Sequence, residues 1–423
     1  MRGAKHGANA SGGRSARAVW LVIALVFAVT QMALLFAVSA PARADSSSAR
    51  LPEVTVSSHF PSGEPSLPHI SAKASILIDA DSGKILYSHN ANARLPVAST
   101  TKIMTAIVVL ETLDPRAKVT VSANAVSTIG SVARLAQGEV LSVEDLLRAL
   151  LIPSGNDAAI ALAEASAGTV PAFVARMNAK AKALGLRNTH FANPNGLNKD
   201  GGYSSAKDLA TTAQYAMKFP LFRRIVGTEG LCLPTLPGQK PRRFVGTDKL
   251  LPKYSWVTGV KTGSTPAAGY CLVSSGKVEG VSLLTVVLGA ADSNTRWEEA
   301  GALLKYGFSL YPVTVLVDAG RPVTELQTLD GGAPQVSLVA EGPLTARLFK
   351  TDVATGVVHL NQSGLLPLSG GEVVGRVDFT VNGKAVGSVR LLAARPLPQP
   401  TLIKALDYWR TRSSTRLVLV PSS

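Results

Sequence analysis

The stretch Pro96-Val97-Ala98-Ser99-Thr100-Thr101-Lys102-Ile103-Met104-Thr105 decides how this chain is read. Past Lys102, apolar residues recur at Ile103, Met104, Ile107, Val108 and Leu110, a spacing that predicts a helix from about Ser99 to Leu113, stopped by Pro115. Positions three apart share a helix face, so Ser99 and Lys102 lie side by side in its opening turn. A serine hydroxyl is a weak nucleophile until a neighbouring base takes its proton. An amine serves as that base only where burial, a second cation and the positive helix end disfavour its charged form.

Two short segments further along supply what is missing. Ser154-Gly155-Asn156 adds a hydroxyl able to relay a proton and an amide that both donates and accepts. Lys261-Thr262-Gly263 closes a predicted strand, Val257–Thr262, and brings the second cation. Lys261 and Thr262 suit a carboxylate, and glycine at 263 lets a substrate backbone come close. The backbone N–H of Ser99 and another on the strand edge just after Gly263 suit an oxyanion. Each segment alone is commonplace: Ser-x-x-Lys arises by chance, Ser-x-Asn is usually a turn, Lys-Thr-Gly is often a strand end. Their order and settings carry the reading, which is serine acyl transfer needing neither histidine nor metal.

Around these segments, Ala74 to Ser88 reads as a hairpin turning at Asp81-Ser82-Gly83. Ser142 caps a helix that Pro153 ends, Asn156–Ala167, Pro171–Leu184 and Tyr203–Phe219 read as helices, and strands return at Val257–Thr262, Gly269–Ser275 and Ser282–Leu288. Trp297–Phe308 is a closing helix. Helices held between an early hairpin and later strands predict an α+β domain with a largely antiparallel sheet. From Pro312 helical periodicity gives way to short β-like segments and turns such as Asn382-Gly383, which predicts a small all-β domain.

The 423 residues exceed one compact core, so two folded domains are expected. Residues 1–44 read as a signal peptide: Arg2, Lys5, Arg14 and Arg17, an apolar run from Ala18 to Ala40, then Ala42-Arg43-Ala44. An uncleaved membrane anchor is the other reading of that run. Residues 45–71, serine-rich and punctuated by Pro61, Pro65 and Pro68, read as a linker. The catalytic domain then spans 72–311, the β-rich domain 312–395, and 396–423 a hinge and helix. In that last segment Leu402, Ile403, Leu406 and Trp409 form an apolar stripe beside Lys404, Arg410 and Arg412, which fits peripheral contact of residues 402–412 with an anionic membrane surface. A helix docked on its own domain is the alternative.

The net charge is +15, and residues 1–44 hold five Lys/Arg and no acid, leaving 38 bases against 28 acids in the exported part. An anionic cell wall or lipid surface suits that balance. Nucleic acid does not, because the chain is read as exported and no basic run is interleaved with aromatics. The six histidines are scattered and the two cysteines, Cys232 and Cys271, are either one disulfide or two apolar residues, so no metal and no cofactor is implied.

With Ser154-Gly155-Asn156-Asp157-Ala158 and Val260-Lys261-Thr262-Gly263, the opening stretch resembles the low-molecular-mass penicillin-binding proteins, D-alanyl-D-alanine carboxypeptidases of the peptidase S11 kind. Asn193-Pro194-Asn195-Gly196-Leu197 and Tyr203-Ser204-Ser205-Ala206-Lys207-Asp208-Leu209 resemble another stretch of that family, and Gly375–Leu392 its small C-terminal β domain. The resemblance implies a penicillin-binding/β-lactamase-like transpeptidase fold, Ser99 as nucleophile, Lys102 as proton acceptor and Ser154 as a second active-site hydroxyl. Asn156, Lys261, Thr262 and Gly263 would bind substrate, and Arg296, just before the closing helix, its carboxylate. The implied partners are peptidoglycan stem peptides and β-lactam antibiotics, at the extracytoplasmic face of the membrane. A D,D-endopeptidase cutting cross-links is the nearest alternative. A β-lactamase fits less well, since no Glu-x-x-x-Asn lies between Ser154 and Lys261. A wall-binding module without catalysis is opposed by three intact motifs. Position 264, histidine in some members, is Ser264 here.

Overall fold

The computed structural model describes residues 53–57, 65–197, 201–233, 242–327, 336–361, 367–396 and 418–420. In chain order, β1 (Glu53–Ser57) precedes the predicted hairpin of β2 (Ala74–Asp79) and β3 (Ile85–His89). A 3-10 turn at Ala98–Thr101 leads into α1 (Lys102–Thr112). Then come β4 (Lys118–Thr120), α2 (Ala123–Val126), β5 (Val140–Ser142), α3 (Val143–Leu151), α4 (Asn156–Ala167), α5 (Val170–Ala183), α6 (Ala206–Ala216) and α7 (Pro220–Val226). A small hairpin, β6 (Gly230–Leu233) with β7 (Arg242–Val245), precedes β8 (Val257–Thr265), β9 (Gly269–Val278), β10 (Val281–Ala290) and α8 (Ser293–Ser309).

The helix boundaries follow local chemistry. The Ser142 hydroxyl accepts from Asp145 N at 3.0 Å and starts α3, and Ser205 does the same for α6 through Asp208 N at 3.1 Å. Asp292 accepts from Asn294 N and Thr295 N, so α8 begins at Ser293. Arg296 therefore sits in the first turn of that helix and not before it.

Five antiparallel strands in the order β3-β2-β10-β9-β8 make the central sheet, with β8 on its outer edge. Strands β9 and β10 run fully buried through most of their length because helices cover both faces. Alternate residues of β10 divide between them: Leu284, Val286 and Leu288 pack toward the core that holds α1, while Leu283 and Val287 pack toward α8. Helix α1 is the innermost element, with Lys102 through Val109 all buried.

The C-terminal strands are β11 (Val313–Val317), β12 (Pro322–Gln327), β13 (Val336–Ala340), β14 (Leu344–Arg347), β15 (Val353–Leu360), β16 (Val373–Val381), β17 (Lys384–Ala393) and β18 (Val418–Val420). All but β11 and β14 join a seven-stranded sheet, β1-β15-β16-β17-β13-β12-β18. Its inner face buries Leu338, Ala354, Val358, Val377, Phe379 and Leu391.

The expectation that 45–71 is linker throughout is corrected by β1. Residues 53–57 pair antiparallel with β15, Thr55 opposite Thr355. The alternation Val54-Thr55-Val56 turns two valines onto the apolar core of that sheet and supplies hydrogen bonds that the β15 edge would otherwise leave open. At the other end, Val418–Val420 pairs with β12, a strand within the segment read as hinge and helix. Residues 1–44 and the stripe at 402–412 lie outside the described residues. Both cysteines are free thiols, Cys232 exposed and Cys271 buried.

Candidate active site

The 3-10 turn carries Ser99 and hands it to α1 with a tighter spacing than an α-helix gives, so residues three apart eclipse. Lys102 Nζ consequently lies 2.8 Å from Ser99 Oγ. Two acceptors complete its surroundings: Asn156 Oδ1 at 2.7 Å and the Asn195 carbonyl at 2.6 Å. The turn is bought with backbone strain, since Ala98 has φ +47°, a left-handed conformation unusual for a residue with a side chain.

Lys102 is fully buried, and burial, then the charge of Lys261, lowers its pKa well below the ordinary lysine value; Asp157 opposes them. Charged, the amine can donate to all three oxygens; uncharged, it keeps two of those bonds and frees a lone pair. The uncharged amine has two N–H donors and one lone pair, and the two carbonyl oxygens take the donors. In that form the lone pair faces the Ser99 hydroxyl, 2.8 Å away, and can accept its proton.

Ser154 and Asn156 follow from the way α3 ends. After Ile152-Pro153 the chain reverses through Ser154, at φ +66°, before Asn156 opens α4. The Ser154 hydroxyl is buried and has no hydrogen-bond partner among the described residues. Asn156 is engaged at both ends, Oδ1 by Lys102 and Nδ2 donating to Ile129 O at 2.7 Å. Its carboxamide thus holds Lys102 at one end and the Ile129 backbone at the other. Asp157, next along, accepts from Ala133 N and Leu135 N at 2.9 and 3.1 Å and fixes the segment that carries Ile129.

Strand β8 brings the third segment against the first. A Cβ added at Gly263 would lie 2.9 Å from Ser99 N and 3.0 Å from Val97 O, so the close approach requires glycine. Lys261 is buried and donates to Thr262 O at 2.9 Å. Burial, then Arg296, lowers its pKa to about 7, against the opposing charge of Asp248. Thr262 Oγ1 lies 2.7 Å from Thr247 Oγ1. Arg296 donates to Gly263 O at 3.2 Å and faces the rings of Trp297 and Tyr270. Ser264 is exposed beside them.

Direct contacts therefore unite Ser99, Lys102 and Asn156, and Gly263 with Arg296. Lys261 reaches Lys102 through its field. Thr247 is new from the structure, and Asn195, Gly196 and Asp157, quoted in sequence only within stretches resembling the family, gain specific contacts here. A Cβ at Gly196, itself at φ +79°, would fall 2.0 Å from Ala98 O. Asn195 presents its carbonyl because Thr105 Oγ1 donates to Pro194 O at 2.6 Å and Asn193 Oδ1 accepts from Gly196 N at 2.6 Å.

A lysine that holds a carboxylate does so only while charged. For Lys261 the charge is lost as pH rises through about 7. In the same direction Lys102 gains its free lone pair, so a base at Lys102 and a carboxylate holder at Lys261 would limit activity from opposite sides. We expect kcat/KM for a peptide with a free C-terminal carboxylate to decline above about pH 7, by about tenfold per unit where the limb is fully developed. The same peptide with an amidated terminus should lack that limb. A profile flat to pH 9 for the free acid would remove Lys261 from carboxylate binding.

Comparison with known proteins places these residues in context. The family model described as D-alanyl-D-alanine carboxypeptidase matches residues 62–292, and that of the penicillin-binding protein 5 C-terminal domain matches 311–399. D-alanyl-D-alanine carboxypeptidase DacF of Bacillus subtilis (strain 168) is 33% identical over 345 residues, 79% of this chain and 88% of that protein. DacA of Escherichia coli (strain K12) is 32% identical over 361 residues, 81% and 88% of the two. Among solved structures, the Streptomyces K15 DD-transpeptidase superposes with a TM-score of 0.55 at 37% identity, over 58% of this chain and all of that one. The D-alanyl-D-alanine carboxypeptidase from Mycobacterium tuberculosis H37Rv gives 0.56 at 33% identity, over 60% and 97%.

Proposed function

This chain belongs to the peptidase S11 family of serine-type D-alanyl-D-alanine carboxypeptidases, and from that premise we propose that Ser99 and Lys102 work as its nucleophile and base on peptidoglycan stem pentapeptides. The observation that supports these roles is the Lys102 environment: a buried amine with two acceptors and one hydroxyl within hydrogen-bond reach.

The steps follow from that arrangement. Lys102 Nζ takes the Ser99 proton as Oγ bonds to the carbonyl carbon of the penultimate D-alanine. The oxyanion is met by the Ser99 N–H and an N–H of β8 just past Gly263. The C–N bond then breaks, and the leaving amine receives the proton from Lys102 by way of the Ser154 hydroxyl. Free D-alanine departs and Ser99 carries an ester. Water, deprotonated by the same amine, adds to the ester carbon, and the shortened peptide leaves as an acid while Ser99 regains its proton. Lys261, Thr262 and Arg296 hold the terminal carboxylate, and Asn156 positions the peptide amide. A penicillin enters the same way, its strained amide standing in for the D-Ala-D-Ala bond, and deacylates slowly. Since residue 264 is serine, no histidine at that position assists release of the acyl group.

The same reading makes residues 72–311 the peptidase domain and 312–395 an attached β domain, exported behind the 1–44 leader to the extracytoplasmic face, with residues 402–412 resting on the membrane. Mass spectrometry of the protein after penicillin treatment tests the core of it. The expected adduct maps to the peptide holding Ser99 and is absent from Ser99→Ala. An adduct that persists in that variant would overturn the assignment.

A further inference from the structure

The most buried ion pair among the described residues belongs to none of the three motifs. Arg242, at the start of β7, donates to both carboxylate oxygens of Glu139, just before β5, and 15% and 4% of the two side chains are exposed. Ion pairs on a surface contribute little, because water and salt screen them. In a buried pair, removing one partner strands the other charge away from water, so the two residues are held to one geometry. Arg242 Nη1 also donates to Arg134 O at 2.8 Å, and so supports a residue in the left-handed conformation, φ +56°.

That bond reaches the second motif through one peptide group. Its carbonyl, on Arg134, accepts from Arg242, and its N–H, on Leu135, donates to Asp157, the residue beside Asn156. Asn156 N donates to Ser131 O at 2.7 Å on the same segment. In the other direction β7 runs on to Thr247. The Thr247 N–H donates to Ile152 O at 3.3 Å, just before the second motif, and its hydroxyl lies 2.7 Å from that of Thr262 in the third. Arg242 therefore stands between the segment that holds Asn156 and the one that meets Thr262.

We propose that Glu139 and Arg242 are positioning residues for acyl transfer, a tie that fixes the spacing of the Asn156 amide and the Thr262 hydroxyl. This rests on the carboxypeptidase reading, in which Asn156 positions the peptide amide and Thr262 helps to hold the terminal carboxylate of one substrate. A ligand that spans two segments binds well only while their separation matches its own length, and a displacement of about 1 Å is enough to cost a large factor. Neither residue touches the reacting atoms. The guanidinium suits the task because its fork takes a carboxylate with two bonds and keeps an N–H for the Arg134 carbonyl. A lysine ammonium has no such fixed fork.

The double variant Glu139→Gln/Arg242→Gln tests it, since it removes both charges and strands neither. The readouts are D-alanine release from a diacyl-Lys-D-Ala-D-Ala peptide and the fraction of molecules labelled by benzylpenicillin. KM should rise about tenfold while the labelled fraction stays at the wild-type level. Arg242→Lys keeps the charge and loses the fork; it should raise KM about threefold, and it carries the test if the double variant does not fold. A purely structural role would instead lower the labelled fraction and leave the KM of the remaining sites unchanged. An unchanged KM overturns the tie, whatever the labelled fraction. If wild type releases no D-alanine, the carboxypeptidase reading falls instead. The second-order rate of benzylpenicillin acylation then decides the tie: a fall of about tenfold in the double variant supports it, and an unchanged rate overturns it.

Discussion

Lys102→Met should abolish D-alanine release, with kcat down by about a thousandfold or more. Methionine matches lysine closely enough in length to fill the buried site beside Ser99, yet it has neither a lone pair for the hydroxyl proton nor N–H groups for Asn156 Oδ1 and the Asn195 carbonyl. Losing the base and the proton donor to the leaving amine at once removes one group from two steps, so the effect exceeds that of a residue that only binds. Acylation by a penicillin should slow in the same proportion, because it uses the same first step. The measurement is free D-alanine from a diacyl-Lys-D-Ala-D-Ala peptide, alongside circular dichroism to show the variant folded. A kcat within tenfold of wild type in a folded variant would mean that another group deprotonates Ser99.

Gly196→Ala should be severely damaging, because this is the tightest Cβ approach among the described glycines. The added carbon would lie 2.0 Å from the Ala98 carbonyl oxygen, far inside contact distance, and at φ +79° the residue is already in a conformation that disfavours any side chain. The atom it strikes is backbone and belongs to the strained turn that presents Ser99, so relief requires the nucleophile to move. We expect a loss of about 2–4 kcal/mol in stability. Urea unfolding measures it, and the penicillin acylation rate should fall by about a hundredfold or more as the turn is displaced. A variant with an unshifted midpoint and normal acylation would show that the approach of the two segments is not needed.

Much of this was legible in sequence where local chemistry decides structure. The Ser99–Lys102 pairing depends only on helical spacing, and Ser142 and Ser205 cap helices by the bonds their side chains favour anywhere. The fold class followed from the order of these elements, and the family from the motifs they carry. What stayed hidden depends on distant partners. Asn195 and Gly196 stand in a stretch that resembles the family, but their contacts with Lys102 and Ala98 are set by the tertiary structure. The Asn156 amide, expected to face substrate, also serves Lys102, because a buried amine must find acceptors. Helix α7 lies beyond the helix expected to end at Phe219, and Pro220 is its first residue, where a missing N–H costs nothing. The pattern of β1 is only five residues long and has meaning only beside β15.

That pairing bears on how the polypeptide is assembled. Thr55 finds Thr355, so β1 must wait for the much later β15 before its backbone is satisfied. The peptidase sheet between them can close in the meantime from its own strands. Closing so long a loop is entropically slow, and the waiting edge is open to other chains. The alternation of Glu53, Thr55 and Ser57 with two valines leaves that segment soluble while it waits. Maturation of this enzyme therefore includes a late step in which β1 seals the flank of the β-rich domain.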